Sequence, residues 1–276
     1  NTTARKQDTY FAAKDGKPVF VKGPYETKSD AETNNFVNQI KVALDPSTPV
    51  LTGTVVALLV NTSFLDTKLG VRTSWENGKP GYFAYYPDLT RDRVEDEVPT
   101  DTMFSKKWSD PVPVVDFSKL ARCTRPEYSS KWEKSIYTLD PLVGVQFMKH
   151  MLLSWIIGTS ADIPFRNFIV REGKCYQVDN ERIFDHHWNL PQTIVCSNSS
   201  KSSKLAAEFA KRAWDGYLKQ FTETVSANLV AFPVEVPAKA LEIMIGRANH
   251  IRTLDGLLEV LTQPYGTCLR KRARVE

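Results

Sequence analysis

Apolar and polar positions divide the chain into segments of different period. β-Branched and aromatic runs at residues 9–13 and 17–22, the second reading "KPVFVK", predict two strands around the turn "KDG". In the next stretch, "ETKSDAETNNFVNQIKVAL", Phe36, Val37, Ile40 and Leu44 recur at three- and four-residue intervals, which predicts a helix with one buried face. Ser29, with Glu32 three residues on, predicts a capping box at its start. "GTVVALLV" and "GYFAYY" predict strands, with "TSWENGKP" as turn material between strand candidates. "DPVPVVDF" is excluded from a sheet centre because its prolines lack ladder donors.

The second half reads differently. "LDPLVGVQFMKHMLLSWIIG" starts with Asp140 as N-cap and Pro141 in the first turn, and ends at Gly158. Leu142, Val145, Phe147, Met148, Met151, Leu152, Trp155 and Ile156 cover so much of it that the helix must be buried. A short hairpin follows, strand "NFIV", turn "REGK", strand "CYQV", and then three helical stretches, "SSKLAAEFAKRAWDGYLKQFTETVSANLV", "PAKALEIMIGRANHI" and "TLDGLLEVL". The expectation is an α+β protein: a sheet-rich region with one helix, then a mainly helical region.

Composition sets bounds on this picture. With 276 residues, 42% of them hydrophobic, the chain can bury the core of one large domain or two lobes. Its net charge of +4 is compatible with an anionic ligand without requiring one. Cys123, Cys175, Cys196 and Cys268 are scattered, and His186–His187 has no cysteine pair near it, so neither a zinc site nor a disulfide framework is expected. No apolar run spans a bilayer, and "NTTARKQD" is too polar for a signal peptide; a cytoplasmic or nuclear location is the expectation.

The candidate chemistry lies in "ADIPFRNFIVREGKCYQVDNE". An antiparallel hairpin centred on "REGK" brings its two open ends together, and with them Asn167 and Asp179, twelve positions apart. Asp162 lies five positions before Asn167, on the loop entering that end. Hard oxygen donors of this kind suit Mg2+, and a further carboxylate can orient a hydroxyl, which are the parts that phosphoryl transfer needs. Asp and Asn are also ordinary turn and cap residues, and that reading stays open.

Asp162-Ile-Pro-Phe-Arg-Asn167, followed by a hairpin and Asp179 in "VDNE", resembles the D-x-x-x-x-N loop and metal-binding Asp of the atypical phosphoinositide 3-/4-kinase-like group. "VDNE" is similar to the "IDNG" of type II phosphatidylinositol 4-kinases and the "LDNG" of secretory-pathway kinases. The apolar helix leading into "I-x-G-x-x-x-D" is similar to those groups and to actin-fragmin kinase. "TTARKQDTYFAA" resembles the phosphate loop of phosphoinositide 3-kinases, and "VFVKGPYETKSD" the strand that carries their ATP-binding lysine.

The resemblance implies a two-lobed protein-kinase-like fold, with an N-lobe over residues 1–88, a C-lobe over 89–276, and ATP between them. It implies that Lys22 contacts the nucleotide phosphates, with Thr2, Thr3, Arg5 and Lys6 near the phosphate loop. Asp30 would orient Lys22, with Glu32 as the competing partner. Tyr85 and Tyr86 would line the adenine pocket. Asn167 and Asp179 would bind Mg2+, and Asp162 would orient or deprotonate the acceptor, a protein or phosphoinositide hydroxyl. The chain departs from the group at Ile163-Pro164, where lipid kinases continue Arg-His, and at Glu181, which replaces a Gly. A pseudokinase that binds nucleotide without chemistry is the alternative these departures suggest. Arg270, Lys271, Arg272 and Arg274 suggest another, a nucleic-acid or other anionic partner at the basic C-terminal tail.

Overall fold

The computed structural model of the chain describes residues 8–14, 17–60, 80–89, 114–115, 121–122, 141–159, 168–178, 180, 183–186 and 200–262. These form an α+β protein with a six-stranded sheet, a separate two-stranded hairpin and a set of helices. The chain divides into two compact units, one of residues 1–32 and 51–126, the other of residues 33–50 and 127–276.

The first unit is built on strands β1 (Asp8–Lys14), β2 (Lys17–Tyr25), β3 (Thr54–Val60), β4 (Pro80–Pro87), β5 (Val114–Val115) and β6 (Ala121–Arg122), in the spatial order β5-β3-β4-β2-β1-β6. β3 and β5 run parallel; the other pairs are antiparallel. The proline-flanked Val114–Val115 takes an edge place, where missing ladder donors do no harm. Val19, Val21, Phe83 and Ala84 are buried in this unit. Phe20 and Tyr86 are cross-strand partners whose rings stack with centroids 5.0 Å apart.

Helix α1 (Lys28–Leu44) begins one frame away from the expected capping box. Thr27 is the N-cap: its Oγ1 accepts from the Asp30 amide at 3.1 Å and donates to Asp30 Oδ2 at 2.8 Å. Ser29 lies inside the first turn, and Glu32 pairs instead with Lys28 one turn earlier, at 3.3 Å. Two overlapping S/T-x-x-D/E frames were available, and the helix start at Lys28 selects Thr27 and Asp30.

The second unit centres on α2 (Pro141–Ile157). Phe147, Met148, Met151, Leu152, Leu153, Ile156 and Ile157 are wholly buried, whereas Leu142 at the helix start is 56% exposed, against expectation. Around α2 lie Ile40 and Leu44 of α1, Phe168 of β7 (Phe168–Arg171), Cys175 of β8 (Lys174–Gln177), and the apolar faces of α3 (Ser200–Ala213), α4 (Lys219–Val230), α5 (Ala238–His250) and α6 (Leu254–Thr262). Burying a side chain of this kind stabilises by about 1.5–3 kcal/mol. The long stretch from Ser200 to Val230 is interrupted by a π turn, Trp214–Leu218, which turns both Trp214 and Leu218 into the core.

Candidate functional site

In the first unit, Lys22 lies on β2 between β1 and β4, opposite Thr9 on one side and Ala84 on the other. It is buried, with 6% of its surface exposed. Side chains alternate along a strand, and directly opposed residues share a face. Lys22 therefore shares a face with Phe20, Ala84 and Tyr86, while Tyr85 opposes Val21 on the other face. Of the two tyrosines, only Tyr86 is on the lysine's side. Its ring closes over Gly53, where a Cβ would sit 2.3 Å from the ring, so this approach requires glycine. Tyr85 lies beneath the ammonium of Lys14, 5.7 Å from its ring centre. Just past Lys22 the β2–β4 register shifts by a bulge before Tyr25, a device that re-aims side chains at sheet sites. Asp30 is engaged at the helix cap with Thr27, and Glu32 with Lys28.

In the second unit, the β7–β8 hairpin pairs Phe168 with Gln177, Ile169 with Tyr176, Val170 with Cys175 and Arg171 with Lys174. This is the register that a turn centred on "REGK" predicts, closed by two residues rather than four. Glu172 (φ 51°) and Gly173 (φ 71°) both occupy the left-handed region, as a type I′ turn requires. Asn167 immediately precedes this hairpin, and Asp179 is the second residue after it. Asp162, Asn167 and Asp179 themselves lie outside the described residues, as do Thr2, Thr3, Arg5, Lys6, Ile163, Pro164, Glu181, His187 and the basic tail.

A polar network that the sequence reading missed supports the hairpin. In a two-residue hairpin, Arg171 and Lys174 exchange ladder bonds, so the Cys175 N–H and C=O point outward, away from β7. Helix α2 satisfies them. Gln146 Oε1 accepts from the Cys175 amide at 2.8 Å, and its Nε2 donates to the Gly173 carbonyl at 3.0 Å. His150 Nε2 lies 2.9 Å from the Cys175 carbonyl, and Ser154 Oγ donates to Gln177 Oε1 at 2.8 Å. Gln146, His150 and Ser154 are spaced four apart on α2, about 6 Å per step, while alternate residues of a strand advance about 6.6 Å. The two repeats match, so one helix face meets the hairpin edge at three successive steps, through the backbone at Gly173 and Cys175 and through the side chain of Gln177.

Burial holds the His150 imidazole neutral, its pKa down to about 3, with the Lys41 ammonium adding to the effect. A neutral ring facing a carbonyl carries its proton on Nε2. Burial also pushes the Cys175 thiol up to about 12, so it is no nucleophile.

The same network includes a wholly buried lysine. Lys41 Nζ of α1 donates to Gln177 Oε1 at 2.5 Å and to Asn180 Oδ1 at 3.4 Å. Asn180 in turn donates its backbone amide (3.2 Å) and its Nδ2 (2.9 Å) to Asn34 Oδ1. Desolvation brings the Lys41 pKa down to about 7. One signal was present in the sequence: Lys41 stands on the apolar stripe of α1, one turn from Val37 and Leu44.

The chain beyond Asn180 is tied to the end of α2. The Asp185 amide donates to the Gly158 carbonyl at 2.7 Å, and His186 Nε2 lies 3.2 Å from the Ile156 carbonyl. Arg247 of α5 donates to the carbonyls of Trp155 and His186, the latter at 2.6 Å, and stacks over the Trp155 ring at 4.7 Å. Gly158 (φ 77°) is in the left-handed region, and a Cβ there would lie 2.9 Å from His186. Near the end of α1, Asp45 accepts from Ser47, Thr48 and Lys149. Burial works against its charge, but the Ser47 hydroxyl and the Lys149 ammonium outweigh it and hold the carboxyl below its ordinary pKa.

Among the described residues no group of three or more His, Cys, Asp or Glu converges to hold a metal ion, and no helix is long and apolar enough to cross a membrane. No protein-family model matches the chain, and no curated protein matches it.

Proposed function

We propose that this chain is an ATP-dependent phosphotransferase with a two-lobed kinase fold, passing the γ-phosphoryl group to a hydroxyl of a protein or phosphoinositide. The observation that carries this reading is the β7–β8 register. The hairpin begins directly after Asn167 and ends two residues before Asp179, in the order and spacing of an Asp–Asn–hairpin–Asp metal loop. The buried Lys22 on a central strand of the sheet supports it further.

The donor set fits Mg2+: one amide oxygen and one carboxylate, both hard, with the buried Cys175 held as a thiol. Asn167 and Asp179 would hold the ion, which when bound offsets charge on the phosphate oxygens. Asp162 would orient the acceptor hydroxyl and take its proton. Lys22 would bind phosphate oxygens, with Thr2, Thr3, Arg5 and Lys6 on the same group. Tyr86, which shares its face with Lys22, is the better candidate for base contact than Tyr85.

The test is transfer of labelled phosphate from ATP to protein and phosphoinositide acceptors, with and without Mg2+. Asp162→Ala should lower transfer about 10²–10⁴-fold while sparing ATP binding. Asp179→Ala should remove the Mg2+-dependent rate; transfer at the wild-type rate in that variant overturns the assignment. Glu181, in place of the glycine of the related motifs, favours a second reading, a pseudokinase. ATP binding with no transfer to any acceptor would select it.

A further inference from the structure

A helix leaves its last carbonyls without donors of its own. At the end of α2 the donors come from remote residues. Arg247 of α5 donates to the Trp155 carbonyl, His186 Nε2 lies 3.2 Å from that of Ile156, and the Asp185 amide donates at 2.7 Å to that of Gly158, just past the helix. Arg247 Nη2 also donates to the His186 carbonyl at 2.6 Å, so one guanidinium pins the helix end and the Ile183–His186 segment together.

This segment is held against backbone strain. Among the described residues two non-glycines have a positive φ, Glu172 and Phe184. Glu172 belongs to the tight turn of the hairpin. Phe184 (φ 60°) lies in neither a strand nor a helix, and a bulky residue in that region is a rare and costly outlier. Its ring packs against the helical core and stacks with His186, the ring centres 6.5 Å apart. Once freed from these contacts, Phe184 can relax to an ordinary backbone conformation.

One of the contacts titrates near neutrality. The His186 ring is half-buried and faces the carbonyls of Ile156 and Phe184. The charged groups that face it among the described residues are the Arg247 guanidinium of α5 and the neighbouring Asp185 carboxylate. Burial, and then the guanidinium, hold the imidazole below its ordinary 6.5. A released ring in water takes up a proton more readily than the docked one, so docking weakens as pH falls below 6.5. We propose that Ile183–His186 is an acid-released latch on the C-terminal end of α2, with Phe184 as its strained hinge and Arg247 as its pin. The latch goes beyond the phosphotransfer reading and does not depend on it.

The test is amide hydrogen exchange on the whole chain, comparing the Asp185 amide with that of Met151 inside α2. In wild type, Asp185 should exchange by a local opening and be less protected than Met151. The ratio of the two protections should fall between pH 7.5 and pH 5.5, by no more than tenfold per pH unit, the limit for one proton. His186→Gln, which keeps a donor for the Ile156 carbonyl, should make the ratio independent of pH. Arg247→Gln should lower Asp185 protection about tenfold or more without lowering that of Met151. Phe184→Gly should protect Asp185 about threefold or more better than Phe184→Ala, the reverse of the usual order, because only glycine takes a positive φ without strain.

Equal protection of Asp185 and Met151 in wild type would mean that the segment opens only when the protein unfolds, and overturns the latch. A ratio that does not change with pH in wild type, or that changes equally in His186→Gln, removes acid release. Alanine protecting as well as glycine at position 184 removes the strained hinge. Joint loss of protection at Asp185 and Met151 in Arg247→Gln leaves the arginine a structural tie and no pin.

Discussion

The ammonium of Lys41 lies 2.5 Å from Gln177 Oε1, and no part of the lysine is exposed to solvent. A residue that usually marks a solvated helix face instead joins α1 to the hairpin. Its acid–base behaviour follows from that burial.

The unfolded chain holds the Lys41 proton up to the ordinary value of 10.5, the folded chain only to about 7. Between these values the unfolded state binds more protons, so stability rises with pH across that window. Lys41→Met should flatten this rise. The melting temperature of the variant relative to wild type should be highest at or below pH 7 and should fall towards pH 10. A difference constant from pH 6 to 10 would contradict the buried, depressed amine.

His150 acts in the same sense on the acid side. Its folded pKa of about 3 lies below the ordinary 6.5, so stability is lost as pH falls between the two. His150→Gln retains a donor for the Cys175 carbonyl but cannot titrate. Urea midpoints at pH 7 and pH 4 should diverge less in the variant than in wild type.

Glu172 takes a left-handed conformation (φ 51°) at the first central position of a type I′ turn, where Asn, Asp and Gly are preferred. Its ion pair with Arg171, at 3.5 Å and largely exposed, contributes little. Glu172→Asn should raise stability by about 0.5–1 kcal/mol, read from the denaturant midpoint. A loss of stability would mean that the Glu172 side chain has a role beyond the turn.

Gly158 combines a positive φ with a crowded Cβ direction towards His186 and Asp185. Gly158→Ala should destabilise by about 1–3 kcal/mol and speed exchange at the Asp185 amide, which bonds the Gly158 carbonyl. Unchanged exchange at Asp185 would show that the strain is absorbed elsewhere.

How much of this was legible beforehand varies with the range of the interaction. The helix over Lys28–Leu44, the buried helix over Pro141–Ile157 and the register of the hairpin follow from spacings of two, three and four residues. Backbone hydrogen bonding is local, so such spacings determine it. The cap of α1 was ambiguous even at that range, because Thr27–Asp30 and Ser29–Glu32 both satisfy the pattern. The spacing of Gln146, His150 and Ser154 was visible too, but nothing in it names the strand they meet.

The sequence alone determined where the longer strands and helices form, that the protein is α+β, and that Asn167 and Asp179 flank a hairpin; strand β6 and the π turn at Trp214–Leu218 were not legible in it. Tertiary structure alone decided that Lys41 and His150 lose water, that Asn34 meets Asn180 across 146 positions, and that Tyr86 rather than Tyr85 shares a face with Lys22. The physical reason is desolvation. A side chain's charge and partners depend on which elements pack around it, and that packing is settled by contacts between segments whose order along the chain carries no record of them.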